Sequence, residues 1–151
     1  MSQADTALDR ILELSVLIND DMTRSLARDQ LTTSRAHIMW VLVAQGPVTQ
    51  RVLADALGVS ARTMTGLIDK LVEAGHVTRE PHPTDRRATL VTFTRRGARV
   101  AAALQRDQVE FARILFEGMP AKRLNGLIEG LDDVLARLRA AGVTRSRESH
   151  V

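Results

Sequence analysis

Apolar residues recur along this chain at two periods, and the places where the period changes divide it into elements. From about Asp5 to Arg28, Leu8, Ile11, Leu12, Ser15, Ile18, Met22, Ser25 and Leu26 return at three- and four-residue steps, one face of an amphipathic helix. Leu14 and Leu17 widen that stripe beyond what a simple surface helix requires. A second helix is predicted from Ser34 to Gln45 and stopped by Gly46-Pro47. Thr49 offers an N-cap for a short helix through Leu57, with Gly58 beyond its end. Ser60 caps the next helix and Gly75 closes it; Met64, Leu67, Ile68, Leu71 and Val72 form a complete helical stripe inside it.

The period then drops to two. Val77 to Glu80 and Thr89 to Phe93 read as strands, with Val91 and Phe93 alternating with threonines. Between them lies a loop, Pro81 to Arg87, which its prolines are expected to hold extended, so the segment reads as a β-hairpin with a long basic tip. Helical spacing returns from Arg95, with Val100, Leu104, Phe111 and Leu115 on one side, until Met119-Pro120. A last helix carries Leu124, Leu127, Ile128, Leu131, Val134, Leu135 and Leu138, and a polar tail from Val143 to Val151 is expected to fray. The fold class predicted is mainly α with a small β-hairpin (α+β), in a single domain spanning 1–151.

Composition narrows the function classes. At 151 residues the chain can bury a real core without staples. It has no cysteine, hence no disulfide frame, thiolate metal site or thiol switch. The acidic start and the lack of a long apolar run predict neither a secretory signal nor a membrane span, and so a cytoplasmic protein. His37, His76, His82 and His150 are scattered, which argues against a metal. No Gly-rich phosphate loop, G-x-S-x-G or HExxH is present, so neither an enzyme nor a cofactor is expected. The net charge of +3 hides an asymmetry: residues 60–99 hold eight basic residues against four acidic, while residues 1–31 hold three against six. A basic centre between acidic or balanced ends suggests a polyanionic partner.

That centre has the order helix, tight turn, helix, basic hairpin, which is the order of a winged helix-turn-helix. On the second helix Arg62, Gly66, Asp69 and Glu73 point away from the apolar stripe, flanked by Thr63, Thr65 and Lys70. The cationic and hydroxylic half is N-terminal and the acids are C-terminal, so that helix should enter a DNA major groove by its N-terminal end. Arg62 suits bidentate contact to guanine, and Thr63 and Thr65 suit a base edge or a thymine methyl. Ser60 is a cap and a candidate phosphate contact, and Lys70 a further cationic contact. At the hairpin tip Arg86 and Arg87 suit a narrow minor groove, with Asp85 placed to orient one guanidinium. A winged helix used for protein contacts, without specific DNA readout, is the alternative.

The stretch from Leu31 to Gly97 resembles the multiple antibiotic resistance regulator (MarR) family of bacterial transcription factors. The resemblance is carried by GPVTQRVLADALGVSARTMTGLIDKLVEAGHVTR (Gly46 to Arg79) and HPTDRRATLVTFTRRG (His82 to Gly97). Asp85, Arg87 and Thr94 match the family's wing pattern, which implies that Arg87 is the minor-groove residue and Asp85 its partner. The resemblance implies a homodimer on a pseudo-palindromic operator, with a DNA-binding lobe at 32–97 and dimerisation helices at 5–30 and 98–141. The apolar stripes point the same way, since a small lobe cannot cover Ile11, Leu14, Leu17 and Ile18 together with Leu115, Leu124, Leu127, Leu131, Leu135 and Leu138. The lobe's own core is expected to form without the first helix. A repressor released by a small effector, such as an aromatic acid or another phenolic compound, is further implied, with His37, Met39 and Trp40 as candidate pocket residues. For a lone Trp on an apolar helix, core packing is the commoner role.

Overall fold

Hydroxyl side chains set where most of the helices begin. The first amides of a helix lack intrahelical partners, and a Ser or Thr oxygen just ahead of them satisfies one. Ser2 does this for α1 (Gln3–Ala27), Thr32 for α2 (Thr33–Gln45) and Thr49 for α3 (Gln50–Leu57). Ser60 does it for α4 (Ala61–Glu73) and Thr94 for α5 (Arg95–Phe116). α6 (Ala121–Ala140) instead follows Pro120 and has no side-chain cap. α1 starts earlier than its apolar pattern suggests because Ser2 and Asp5 form a reciprocal capping box. Hydrogen bonds from the Ser2 amide and hydroxyl hold the Asp5 carboxyl below its ordinary range. The computed structural model describes residues 1–143; all of the tail expected to fray except Val143 lies outside the described residues.

The small sheet differs from the predicted hairpin by one strand. β2 (Val77–Pro81) pairs with β3 (Thr89–Phe93) from Val77↔Phe93 to Pro81↔Thr89. β1 (Val48–Thr49) adds to the other side of β3, Val48 against Val91 and Thr49 against Leu90, giving the antiparallel order β1-β3-β2. A two-residue strand after Gly46-Pro47 is too short to show a period of its own. Its effect is to make β3 the central strand and to anchor the start of α3 to the sheet.

The core lies where α2, α3, α4 and the sheet converge. Ile38, Met39, Leu53, Met64, Ile68, Leu71, Val77 and Val91 are fully buried there. Each such side chain stabilises the fold by roughly 1.5–3 kcal/mol relative to exposure. The first helix is not separate from this core, as the sequence had suggested: Leu26 is buried in it, Met22 packs against it, and Leu31 follows just after the helix. The remainder of α1 is largely exposed, and α6 has no buried residue at all.

One junction joins the core to α5. The α4 helix ends at Gly75, whose φ of +78° suits a residue without Cβ, and His76 follows fully buried. The Thr94 hydroxyl donates to the Gly75 carbonyl and accepts from the Gly97 amide, while the Thr94 amide donates to the His76 carbonyl. Gly97 lies so close to that carbonyl that a Cβ built on it would collide with the backbone oxygen. Gly97→Ala is therefore expected to destabilise the protein by about 3 kcal/mol, the upper range for an overpacked core, measured as a lower urea midpoint.

The His76 ring sits in the same junction, and neither nitrogen hydrogen-bonds to any described residue. Burial, followed by the Arg96 guanidinium, pushes its pKa below the ordinary 6.5, with Asp29 opposing and Arg35 adding slightly to the lowering. The unfolded chain thus takes up a proton near pH 6.5 while the folded chain stays neutral to lower pH. This contribution is whole above the unfolded value and is lost as pH falls from there toward the folded pKa. Urea unfolding should show that decline in the native chain, and a His76→Leu variant should show less of it.

Candidate nucleic-acid interface

The turn between α3 and α4 is made by Gly58, in the left-handed region at φ +68° and ψ +34°. There the Gly58 amide reaches the Ala54 and Asp55 carbonyls, and the Val59 amide the Ala54 carbonyl. The chain therefore reverses within two residues and sends α4 across α3. Met64, Ile68 and Leu71 fill the buried face of α4, Leu67 is half-buried, and Val72 is exposed at the edge of the stripe. The opposite face presents Arg62, Thr65, Gly66, Asp69, Lys70 and Glu73 to solvent.

Hydrogen bonds sort these exposed side chains. Ser60 Oγ accepts from the Thr63 amide at 3.1 Å and donates to Thr63 Oγ1 at 3.0 Å, so the cap and Thr63 fix each other. Thr65 Oγ1 donates to the Ala61 carbonyl at 3.0 Å and accepts from Gln50 Nε2 at 3.2 Å, so its hydroxyl is engaged within the protein. Lys70 lies 3.7 Å from Glu73, an exposed pair of small energetic weight. No ion pair among the described residues reaches Arg62, Arg86 or Arg87.

A further residue, not foreseen from the sequence, ties the strands to the helices. Arg79 Nη2 donates to Asp69 Oδ1 of α4 at 2.6 Å, and its Nε donates to Gln50 Oε1 of α3 at 2.8 Å. Gln50 passes the chain on to Thr65, so Asp69, Arg79, Gln50 and Thr65 form one network across α4, β2 and α3. Asp69, one of the acids on the C-terminal half of α4, is therefore paired within the protein. The signal was the strand period, because Arg79 follows the buried Val77 by two and so shares its helix-facing side.

The hairpin tip is not an extended, proline-stiffened loop. The His82 amide donates to the Ala88 carbonyl and the Ala88 amide to the Asp85 carbonyl, closing the loop into a turn. His82 Nδ1 accepts from the amides of Thr84 at 3.2 Å and Asp85 at 3.1 Å. Asp85 Oδ1 accepts from the backbone amide of Arg87 at 2.9 Å. The acid thus shapes the backbone under Arg87 instead of gripping a guanidinium, and Arg86 and Arg87 project exposed from a folded tip.

Away from this surface, α1, α2 and α5 line an open cavity of about 700 Å³. His37 and Trp40 both line it, their rings 6.4 Å apart and tilted by 51°. Met39 does not: it is fully buried in the lobe core, on the opposite side of α2 from the His37–Trp40 face. Among the described residues no cluster of His, Cys, Asp or Glu could hold a metal ion, and no helix is long and apolar enough to cross a membrane.

The MarR family model matches residues 29–88, the stretch that contains α2, the turn, α4 and the basic tip. An HTH-type transcriptional regulator of Mycobacterium leprae is 30% identical over 74% of this chain and 78% of its own length. The chain belongs to the MarR family. The transcriptional activatory protein BadR of Rhodopseudomonas palustris is 31% identical over 72% of this chain, which spans 64% of BadR's length. Among solved structures, RV1404 of Mycobacterium tuberculosis is 29% identical with a TM-score of 0.70, covering 90% of this chain and 94% of that one. The MarR family regulator AbsC of Streptomyces coelicolor shares the fold at a TM-score of 0.74 and 22% identity, covering 93% and 97%. This MarR-family chain is a DNA-binding transcriptional regulator, and its small sheet and α3–α4 pair form a winged helix-turn-helix.

Because the Arg79 side chain is 31% exposed and Asp69 53%, their ion pair is screened. Arg79→Gln is expected to lower stability by less than about 1 kcal/mol. DNA affinity should fall out of proportion to that change, because α4 loses its tie to β2. Thermal melts compared with filter binding on the same preparations check this.

Proposed function

We propose that this MarR-family regulator acts as a homodimer on a pseudo-palindromic operator, in the cytoplasm and without catalysis, mainly as a repressor released by a small effector. The observation that carries the DNA reading is the set of unpaired guanidinium groups, Arg62 on α4 and Arg86 and Arg87 on the tip, held on two elements that the Arg79 network ties together. Arg62 reads a base in the major groove. Thr63 and Thr65 meet neighbouring base edges, and Ser60 and Lys70 serve the phosphate backbone. Arg87 enters the minor groove from a backbone that Asp85 shapes, and Arg86 meets a phosphate. Residues 32–97 form the DNA-binding lobe in this reading.

The second copy is supported by what the protomer leaves uncovered. Leu8, Leu12, Leu14 and Leu17 of α1 are more than half exposed, and Leu115, Leu127, Leu131, Leu135 and Leu138 stand out along α5 and α6. An apolar surface of that extent marks an interface. We assign residues 5–30 and 98–141 to it, with Ile11, Ile18 and Leu124 at its half-buried margin. Release is supported by the cavity, since its α2 wall runs into the lobe and its α1 and α5 walls belong to the proposed interface. Filling it alters how two lobes are spaced across half-sites about 10 bp apart. The name of the BadR relative favours activation instead, and position of the operator relative to the promoter decides between the two.

Binding series on one genome-selected operator and on random duplex test these roles. Arg62→Ala should cost about 1–3 kcal/mol on the operator and relax preference at one base position per half-site, whereas Lys70→Ala should weaken both duplexes alike. Arg87→Ala should lose most on operators with A·T-rich flanks, and Arg86→Ala should show no flank preference. Equal losses on both duplexes for Arg62→Ala, or a monomer by light scattering at micromolar concentration, would overturn this reading.

A further inference from the structure

The wall chemistry of the cavity selects among effectors. Its apolar surface comes from Trp40, Ile18, Leu26, Val41, Leu104 and Phe111, and its volume of about 700 Å³ suits a drug-sized molecule. The charged groups that line it are both carboxylates, Asp21 from α1 and Asp107 from α5, and no lysine or arginine lines it. Neither aspartate takes part in an ion pair among the described residues. The remaining polar lining is uncharged side chains such as Ser25, Gln45 and Gln108, together with His37.

An aromatic acid, the effector class implied by the family resemblance, would bring a carboxylate into a site whose two ionised side chains in this protomer, Asp21 and Asp107, are themselves carboxylates. A like-charge approach of that kind is unfavourable, and most so at low ionic strength because both aspartates are exposed. A cation gains from both aspartates and from the Trp40 ring, whose π face attracts ammonium-like charge. We propose that the cavity takes a hydrophobic organic cation, an aromatic body carrying a quaternary or protonated centre, with Asp21 and Asp107 at its charge and Trp40 against its body. This rests on the reading of the cavity as the effector site. The chain's net charge of +3 cannot produce such a preference, since it attracts anions.

The test uses three probes that share one triphenyl body: methyltriphenylphosphonium (cation), triphenylphosphine oxide (neutral) and triphenylacetate (anion). Trp40 is the chain's single tryptophan, so quenching of its fluorescence reports occupancy of this cavity, with calorimetry for affinity. The cation should bind about tenfold or more tightly than the anion, with the oxide between them. The double variant Asp21→Asn with Asp107→Asn should close most of that gap. Asp20→Asn, on α1 but outside the lining, should leave it unchanged. Both mutated aspartates are exposed, and a melting curve matching the parent confirms the fold. Triphenylacetate binding as tightly as the phosphonium, no quenching by any probe, or a gap that survives the double variant would each overturn the proposal. Operator binding is followed in parallel. Cation binding that leaves DNA bound sinks the release reading while the ligand class stands, and release of DNA by the anion at a concentration no higher than the cation needs does the reverse.

Discussion

The backbone contact between Gly97 and the His76 carbonyl is the constraint on which the rest of the arrangement depends. Thr94 caps α5 and at the same time binds the end of α4 through Gly75, so one hydroxyl serves two helices. A helix that begins in van der Waals contact with another segment's backbone has few directions open to it. α5 therefore leaves the lobe at a fixed angle, and with it the long exposed stripes that continue into α6. The start of α5 is thus fixed against the end of α4 by a residue that must lack a side chain, and Ala101 and Leu104 then continue the contact into the core.

Within the lobe, apolar burial supplies the stability and polar contacts supply the alignment. Met64, Ile68 and Leu71 hold α4 in place at roughly 1.5–3 kcal/mol each, far more than any exposed ion pair on its outer face. Burial alone allows a helix to roll or slide a little. The Asp69–Arg79–Gln50–Thr65 chain opposes such motion because its hydrogen bonds are directional and reach three separate elements. The folded tip follows the same logic on a smaller scale: the His82 ring and the Asp85 carboxylate hold backbone amides, which leaves both arginines free to reach outward.

How much of this could be read from the sequence depends on the range of the interactions. Helices were legible because their determinants are local: a hydroxyl cap such as Thr49 or Ser60, a glycine after the last turn, and a three- and four-residue apolar step. β1 was not legible, since two residues carry no period and pair only with a strand more than forty positions away. Met39 was grouped with Trp40 because they are neighbours in sequence, yet the helix turns them to different sides, one into the core and one onto the cavity. Thr65 and Asp69 were placed on the correct face, but their engagement by Gln50 and Arg79 is a tertiary fact that only the packing of α3 and β2 against α4 creates. At the scale of a single turn, the sequence shows that Asp85 stands two residues before Arg87, but only the folded tip shows its carboxylate on the Arg87 amide.

The order of the sheet has one more consequence. With β3 paired on both sides, β2 is left as an outer strand, and outer strands offer open backbone groups to any passing chain. Arg79, Glu80 and Pro81 occupy that strand: two bring charge and the third has no amide to give. The outer margin of the wing is thereby a poor template for the strand addition through which chains aggregate.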